Sequence, residues 1–167
     1  MSAAVLGRPP VRRVADALAQ HGLADRVVAL ADSARTAADA ARALAVPVGA
    51  IVKSLVFAAG ERVVLACVAG DRRVDAAALA ASLDVAGPLE RAPAALVKAT
   101  TGFSIGGVAP VGHVAPVAVV LDASLARFAA VFAAAGHPHA VFRTSLAELE
   151  RVTGGRVDAG VAVAAAV

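Results

Sequence analysis

Ile51-Val52-Lys53-Ser54-Leu55-Val56-Phe57-Ala58-Ala59-Gly60-Glu61-Arg62-Val63-Val64-Leu65-Ala66-Cys67-Val68-Ala69 decides the fold class. Two runs rich in β-branched and apolar residues, 50–58 and 62–69, flank Ala59-Gly60-Glu61. A glycine-bearing connection of that length between two such runs predicts a β-hairpin. A hairpin requires antiparallel pairing, and the helical patterns on either side do not alternate strictly with strands. The chain is therefore expected to be α+β, with a mixed sheet flanked by helices.

Towards the N-terminus, Val11, Val14, Ala15 and Leu18 recur at helical spacing over residues 11–20, and Gly22 suits the stop. Residues 26–31 form a short valine-rich strand candidate. Thr36-Ala37-Ala38-Asp39 has the pattern of a helix N-cap, with a hydroxyl to take a first-turn N–H and an acid near the positive end. That helix is expected to reach about Ala45, ahead of Pro47. Beyond the hairpin, helices are predicted over 74–83 and over 92–99, the latter with Pro93 in its first turn. Residues 101–116 read as loop or broken strand, 117–121 as a strand, and 124–135 as a helix stopped by Gly136. A strand at 140–143 and a helix at 146–152, ended by Gly154-Gly155, complete the pattern. No repeat or interior linker appears, so 1–167 is expected to be one domain. Within it, 1–31 form a helix and strand, and 156–167 an apolar tail with no assignable element.

Composition narrows the possibilities. Of 167 residues, 59% are hydrophobic but only 3% aromatic, so alanine and valine must build the core from many small contacts. Alanine also inflates every helical pattern, because it is the best helix former. The longest uncharged stretch, 99–121, is broken by four glycines, two prolines and His113, which excludes it as a membrane-spanning helix. Arg8, Arg12, Arg13 and Asp16 leave no apolar core for a signal peptide, and a cytoplasmic location is expected. The single cysteine, Cys67, rules out an internal disulfide and reads as a small buried hydrophobe. A net charge of +3 permits an RNA partner without demanding one, and the absence of Tyr and Trp argues against a stacking platform for single strands.

Two features could carry chemistry. Lys53 sits in an otherwise apolar strand, where a lysine either snorkels to water from the strand edge or lines a cleft as a cation for phosphate or a polarised carbonyl. The segment Thr101-Gly102-Phe103-Ser104-Ile105-Gly106-Gly107-Val108-Ala109-Pro110-Val111-Gly112-His113 is the second. It reads either as a tight turn between strands or as a loop whose exposed N–H groups converge on a ligand oxygen. It matches neither a phosphate-binding Walker loop nor a dinucleotide fingerprint. The four histidines show no metal-ligand spacing, so no metal and no cofactor are expected. There is no nucleophile elbow. Asp122 reads as the N-cap of the helix that follows its strand.

The ordered set resembles the YbaK family, freestanding relatives of the editing domain inserted in bacterial prolyl-tRNA synthetases. The resemblance rests on Thr36 with Ala40-Ala41, Val52-Lys53-Ser54-Leu55, Thr101-Gly102-Phe103, Gly106-Gly107-Val108-Ala109-Pro110 with Gly112, Val119-Val120-Leu121-Asp122 and Gly136. It implies a mixed, partly closed β-barrel-like sheet flanked by helices, and an activity that hydrolyses the ester of mischarged tRNA in trans. The implied substrate is tRNAPro carrying a small amino acid such as alanine, cysteine or 2-aminobutyrate. A non-catalytic module binding aminoacyl-tRNA or a small ligand on the same fold is the alternative. The resemblance makes Lys53 the essential cleft lysine and Gly106, Gly107, Val108, Ala109 and Pro110 the loop that positions the aminoacyl carbonyl. Thr36 and Ser54 would lie nearby, with His113 following the loop. The implied partners are the aminoacylated 3′ end of tRNA and prolyl-tRNA synthetase, with neither DNA nor membrane.

Overall fold

The computed structural model describes residues 2–165. Two helices, α1 (Ser2–Leu6) and α2 (Pro9–Ala19), precede strand β1 (Val27–Ala29) and helix α3 (Ala37–Leu44). The hairpin follows as β2 (Ile51–Ala59) and β3 (Arg62–Ala69), then β4 (Arg72–Val74), α4 (Ala76–Ser82), β5 (Glu90–Arg91) and α5 (Ala94–Thr101). After a long loop come β6 (Ala118–Asp122), β7 (Val131–His137), β8 (Ala140–Thr144), α6 (Leu146–Thr153), β9 (Arg156–Asp158) and β10 (Ala162–Ala164).

The α+β expectation holds. The main sheet runs β1-β8-β7-β2-β3-β6-β9 with β5 attached to β2, and it mixes parallel and antiparallel pairs. Its path is open: β1 and β9 lie at opposite ends and do not pair with each other. β4 and β10 form a separate two-stranded ribbon. The hairpin is continuous over eight partner pairs from Val52↔Ala69 to Ala59↔Arg62. Strict alternation then gives each face its own core. Val52, Val56, Leu65 and Cys67 join the larger core, with Val14 and Leu18 of α2 and Leu149 of α6. Phe57, Val64, Ala66 and Val68 face the smaller one, with Leu79 of α4. β3 is buried on both faces along almost its whole length, as a central strand should be.

Local capping agrees with the sequence. The Thr36 hydroxyl accepts the Asp39 N–H at 3.1 Å and opens α3. Asp122 does more than cap. Its buried carboxylate takes the Ser124 N–H (2.9 Å), the Ser124 hydroxyl (2.8 Å) and, across the sheet, the Ala69 N–H (3.1 Å). Cys67 is fully buried, and desolvation pushes its thiol up to about 12.

Four expectations are corrected. The helix expected over 124–135 is a short 3-10 turn (Ala123–Arg127) followed by strand β7. Its alanines score well as helix, but Val131, Ala133 and Ala135 are buried in alternation, and the segment fills the slot between β2 and β8. Sheet pairing outweighs propensity here. Residues 1–31 contain two helices before the strand, since α1 precedes Pro9. Residue 74 ends a strand rather than opening a helix, and Asp75 caps α4. The tail from 156 contributes β9 and β10; Ala166 and Val167, like Met1, lie outside the described residues.

β7 carries a register shift between Ala134 and His137, where Gly136 stands at φ +90°. A Cβ on Gly136 would come within 2.8 Å of the Pro10 carbonyl oxygen. Both the dihedral and the clash exclude other residues, so Gly136→Ala is expected to lower stability by about 1–3 kcal/mol in urea unfolding.

Candidate functional site

Strand β2 is paired along one edge by β3, but its other edge is divided. β7 pairs parallel to Ile51 and Val52, and β5 pairs antiparallel to Phe57 and Ala58. Between them, residues 53–55 have no strand alongside on that edge, and the Val56 carbonyl accepts the Ala92 N–H at 2.9 Å. A cavity of about 370 Å³ opens there, and all six residues from Ile51 to Val56 line it. α3 supplies Thr36, Ala37 and Ala40 from its N-terminal turn, β7 and β8 supply Phe132, Ala134 and Val141, and the glycine loop supplies Ile105, Gly106 and Val108.

Lys53 and Ser54 both line this cavity but point to opposite faces of the sheet, as neighbouring strand residues must. Lys53 is half-buried, and its ammonium donates to the Arg72 carbonyl oxygen. Burial lowers its pKa; Asp71 and Asp122 pull the other way, and Arg91 adds to the lowering. Asp71 is already held by a two-pronged ion pair with Arg127 at 2.7 and 2.8 Å. The Lys53 ammonium thus has a neutral carbonyl as its hydrogen-bond partner, and a flexible four-carbon stem to redirect it. The Ser54 hydroxyl is buried on the other face, opposite Cys67 in the hairpin register.

The glycine loop is drawn tightly against β7. A Cβ on Gly107 would meet the His137 backbone nitrogen at 3.0 Å, so close approach is the reason for glycine at that position. The Gly107 N–H is engaged with the Ser104 carbonyl at 3.0 Å. Ile105, Gly106 and Val108 line the cavity, and their amides have no backbone acceptor among the described residues. Gly107, Ala109 and Pro110 are buried behind that wall. His113 turns away from the cavity, its Nε2 2.7 Å from the Ala109 carbonyl oxygen. A carbonyl only accepts, so Nε2 carries the proton, and burial keeps the ring neutral by lowering its pKa.

The cavity lining therefore includes Thr36, Lys53, Ser54, Gly106 and Val108, whereas Gly107, Ala109, Pro110 and His113 lie outside it. Three further cationic or titratable groups line it: Arg35, Arg91 and His137. Arg35 adjoins the Thr36 cap and was legible as a neighbour of the site; Arg91 and His137 arrive through strand pairing that no local pattern announces. Ala40, Ile51, Phe132, Ala134 and Val141 make part of the lining apolar. This arrangement suits an anionic or polarised oxygen at the mouth and a small apolar group within. Among the described residues, no three His, Cys, Asp or Glu side chains gather to hold a metal ion, and no helix is long and apolar enough to cross a membrane.

Residues 31–152 match the family model of the aminoacyl-tRNA editing domain. Among solved structures, a candidate trans-editing enzyme for prolyl-tRNA synthetase is 42% identical, with TM-score 0.83, over 90% of this chain and 96% of that one. A scaffold protein from computational epitope grafting is 36% identical, with TM-score 0.84, over 96% and 99% of the two chains. A hypothetical protein is 29% identical, with TM-score 0.82, over 90% and 99%. No curated protein matches the chain.

The lowered pKa of Lys53 has a measurable consequence. The unfolded chain holds this proton up to the ordinary value of 10.5, whereas the folded chain releases it earlier. The penalty of a buried ammonium is thus present in full at neutral pH and relieved as pH rises towards 10.5. Lys53→Met is expected to unfold at a higher temperature than the parent at pH 7, with the gap narrowing on approach to pH 10.5.

Proposed function

The chain belongs to the aminoacyl-tRNA editing domain family, and we propose that it is a deacylase that hydrolyses, in trans, the ester of mischarged tRNA. The observation that carries this reading is that Lys53, the N-terminal turn of α3, Gly106 and Val108 line one cavity. The ester carbonyl of an aminoacyl-tRNA would sit at the cavity mouth, with the amino acid side chain in the apolar interior and the terminal ribose outside. Attack on the carbonyl builds negative charge on its oxygen. Preorganised amide donors stabilise that charge, each worth about 3–4 kcal/mol where such donors have been removed. Lys53, held only by the neutral Arg72 carbonyl, can turn its ammonium to the oxyanion or an adjacent phosphate without breaking an ion pair.

No side chain at the mouth is placed as a nucleophile with its own base. Ser54 is buried on the opposite face from Lys53, and His113 is committed to Ala109. The attacking group is therefore water or the free hydroxyl of the terminal ribose. The similarity to a candidate trans-editing enzyme for prolyl-tRNA synthetase supports tRNAPro as the carrier and that synthetase as the source of errors. The mostly apolar lining supports a small aliphatic cargo, alanine or 2-aminobutyrate before serine, because a hydroxyl gives up water on entering it. A synthetase pocket separates residues that differ by one methylene by only about 1–3 kcal/mol, which is the gap an editor fills.

A panel of tRNAPro charged with alanine, 2-aminobutyrate, cysteine, serine and proline tests both levels of the reading. Release of alanine or 2-aminobutyrate well ahead of serine and proline is expected. Lys53→Ala should slow that release at least about 100-fold while circular dichroism stays unchanged. Tight tRNA binding with no release from any member would instead identify a binding module.

A further inference from the structure

α2 ends its packing role at an unusual contact. Arg13, half-buried, donates from Nε to the Gly112 carbonyl oxygen at 2.8 Å, linking residues 99 positions apart. Its guanidinium carbon lies 4.8 Å from the centre of the Phe103 ring, which is itself fully buried. The Phe103 ring meets the His113 ring edge-on at 6.1 Å, and His113 in turn donates to Ala109. One side chain thus grips the glycine loop at its start, through Phe103, and at its end, through Gly112. The second terminal nitrogen, Nη2, is buried without a hydrogen-bond partner among the described residues.

Stability alone does not account for an arginine here. Nη2, buried and unpaired, costs folding free energy that an apolar side chain of similar length would not. What the arginine supplies is a directed, charge-assisted bond to one carbonyl and a flat cation over one ring. Loop residues 104–112 otherwise make few backbone bonds of their own, the Gly107 to Ser104 turn being one. Four glycines between 102 and 112 leave that segment many alternative conformations to suppress.

We propose that Arg13 is a positioning residue for the reaction: it clamps the glycine loop from α2, so that the Gly106 and Val108 amides are held at the cavity mouth. The proposal rests on the deacylase reading for its catalytic consequence, but not for the clamp. Arg13 lies outside residues 31–152, so the family match assigns it no role. The active arrangement is then completed by an N-terminal helix that the editing segment itself does not contain.

Two variants and two readouts test it. Arg13→Met keeps the stem and removes the donors; Arg13→Lys keeps a charge and one donor. Amide hydrogen exchange is followed for both over the loop and over the β2–β3 hairpin. With alanyl-tRNAPro as substrate, kcat and KM are measured separately. In Arg13→Met, exchange over residues 104–112 is expected to rise about tenfold or more, with the hairpin unchanged, and kcat to fall by a similar factor at near-constant KM. Arg13→Lys should recover most of both. An unchanged loop, or exchange that rises evenly across the chain, overturns the clamp. If the parent protein fails to release alanine at all, the deacylase reading falls, while the exchange data still decide whether Arg13 holds the loop.

Discussion

Strand β2 cannot satisfy both its edges with single partners, and the rest of the molecule is arranged around that fact. β7 reaches only its first residues and β5 only its last, so the middle of the edge lies open. An open edge in a sheet is a liability, because unpaired backbone groups invite another chain. Here α3, α5 and the glycine loop enclose the gap, and the liability becomes a cavity with polar backbone at its rim. Lys53 is tolerated in an apolar strand for the same reason: it stands where the strand borders a cavity and within reach of the Arg72 carbonyl.

The alanine-rich composition shapes how this frame is held. Most core side chains are Ala or Val, so backbones come close and glycines are placed where closeness becomes contact. Gly107 against His137 and Gly136 against Pro10 tie the loop, β7 and α2 into one packed layer. The loop is therefore braced from behind at the places where it must face forward. Catalysis by backbone amides needs that rigidity, since donors that must reorganise during reaction lose most of their advantage.

Much of this was legible in the sequence, and what was not has a physical reason. The hairpin, the Thr36 cap, the Gly154 stop and the Lys53 anomaly are local signals, and each appears where expected. The segment after Asp122 misled because alanine satisfies both a helix pattern and a buried alternation; only its neighbours β2 and β8 choose between them. β4, β9 and β10 are three-residue strands, too short for a periodicity to show. Thr36, Lys53, Ser54, Gly106 and Val108 meet at the cavity as a set with Arg35, the neighbour of Thr36, yet Arg91 and His137 join them through tertiary pairing alone. Arg13 escaped for the same reason. Its partner is a carbonyl 99 residues away, and a carbonyl leaves no mark in a sequence.

The division of labour within the cavity bears on how such a site distinguishes its substrates. In the proposed reaction, the loop amides, the α3 turn and Lys53 address an ester carbonyl and its surroundings, which every aminoacyl-tRNA carries in the same form. They can speed hydrolysis but cannot choose among amino acids. On that reading, choice resides in the apolar part of the lining, which includes Ala40, Ala134, Ile51 and Phe132. Steric exclusion in a wall of small, closely packed residues is steeper than attraction, because an oversized group has to displace backbone rather than a flexible side chain. An editing site needs that asymmetry: it must reject the correct, larger amino acid strictly and can afford loose affinity for the small wrong ones. A rigid frame of alanine, valine and glycine is well suited to provide it, and the same packing that braces the catalytic loop also fixes the limit of what may enter.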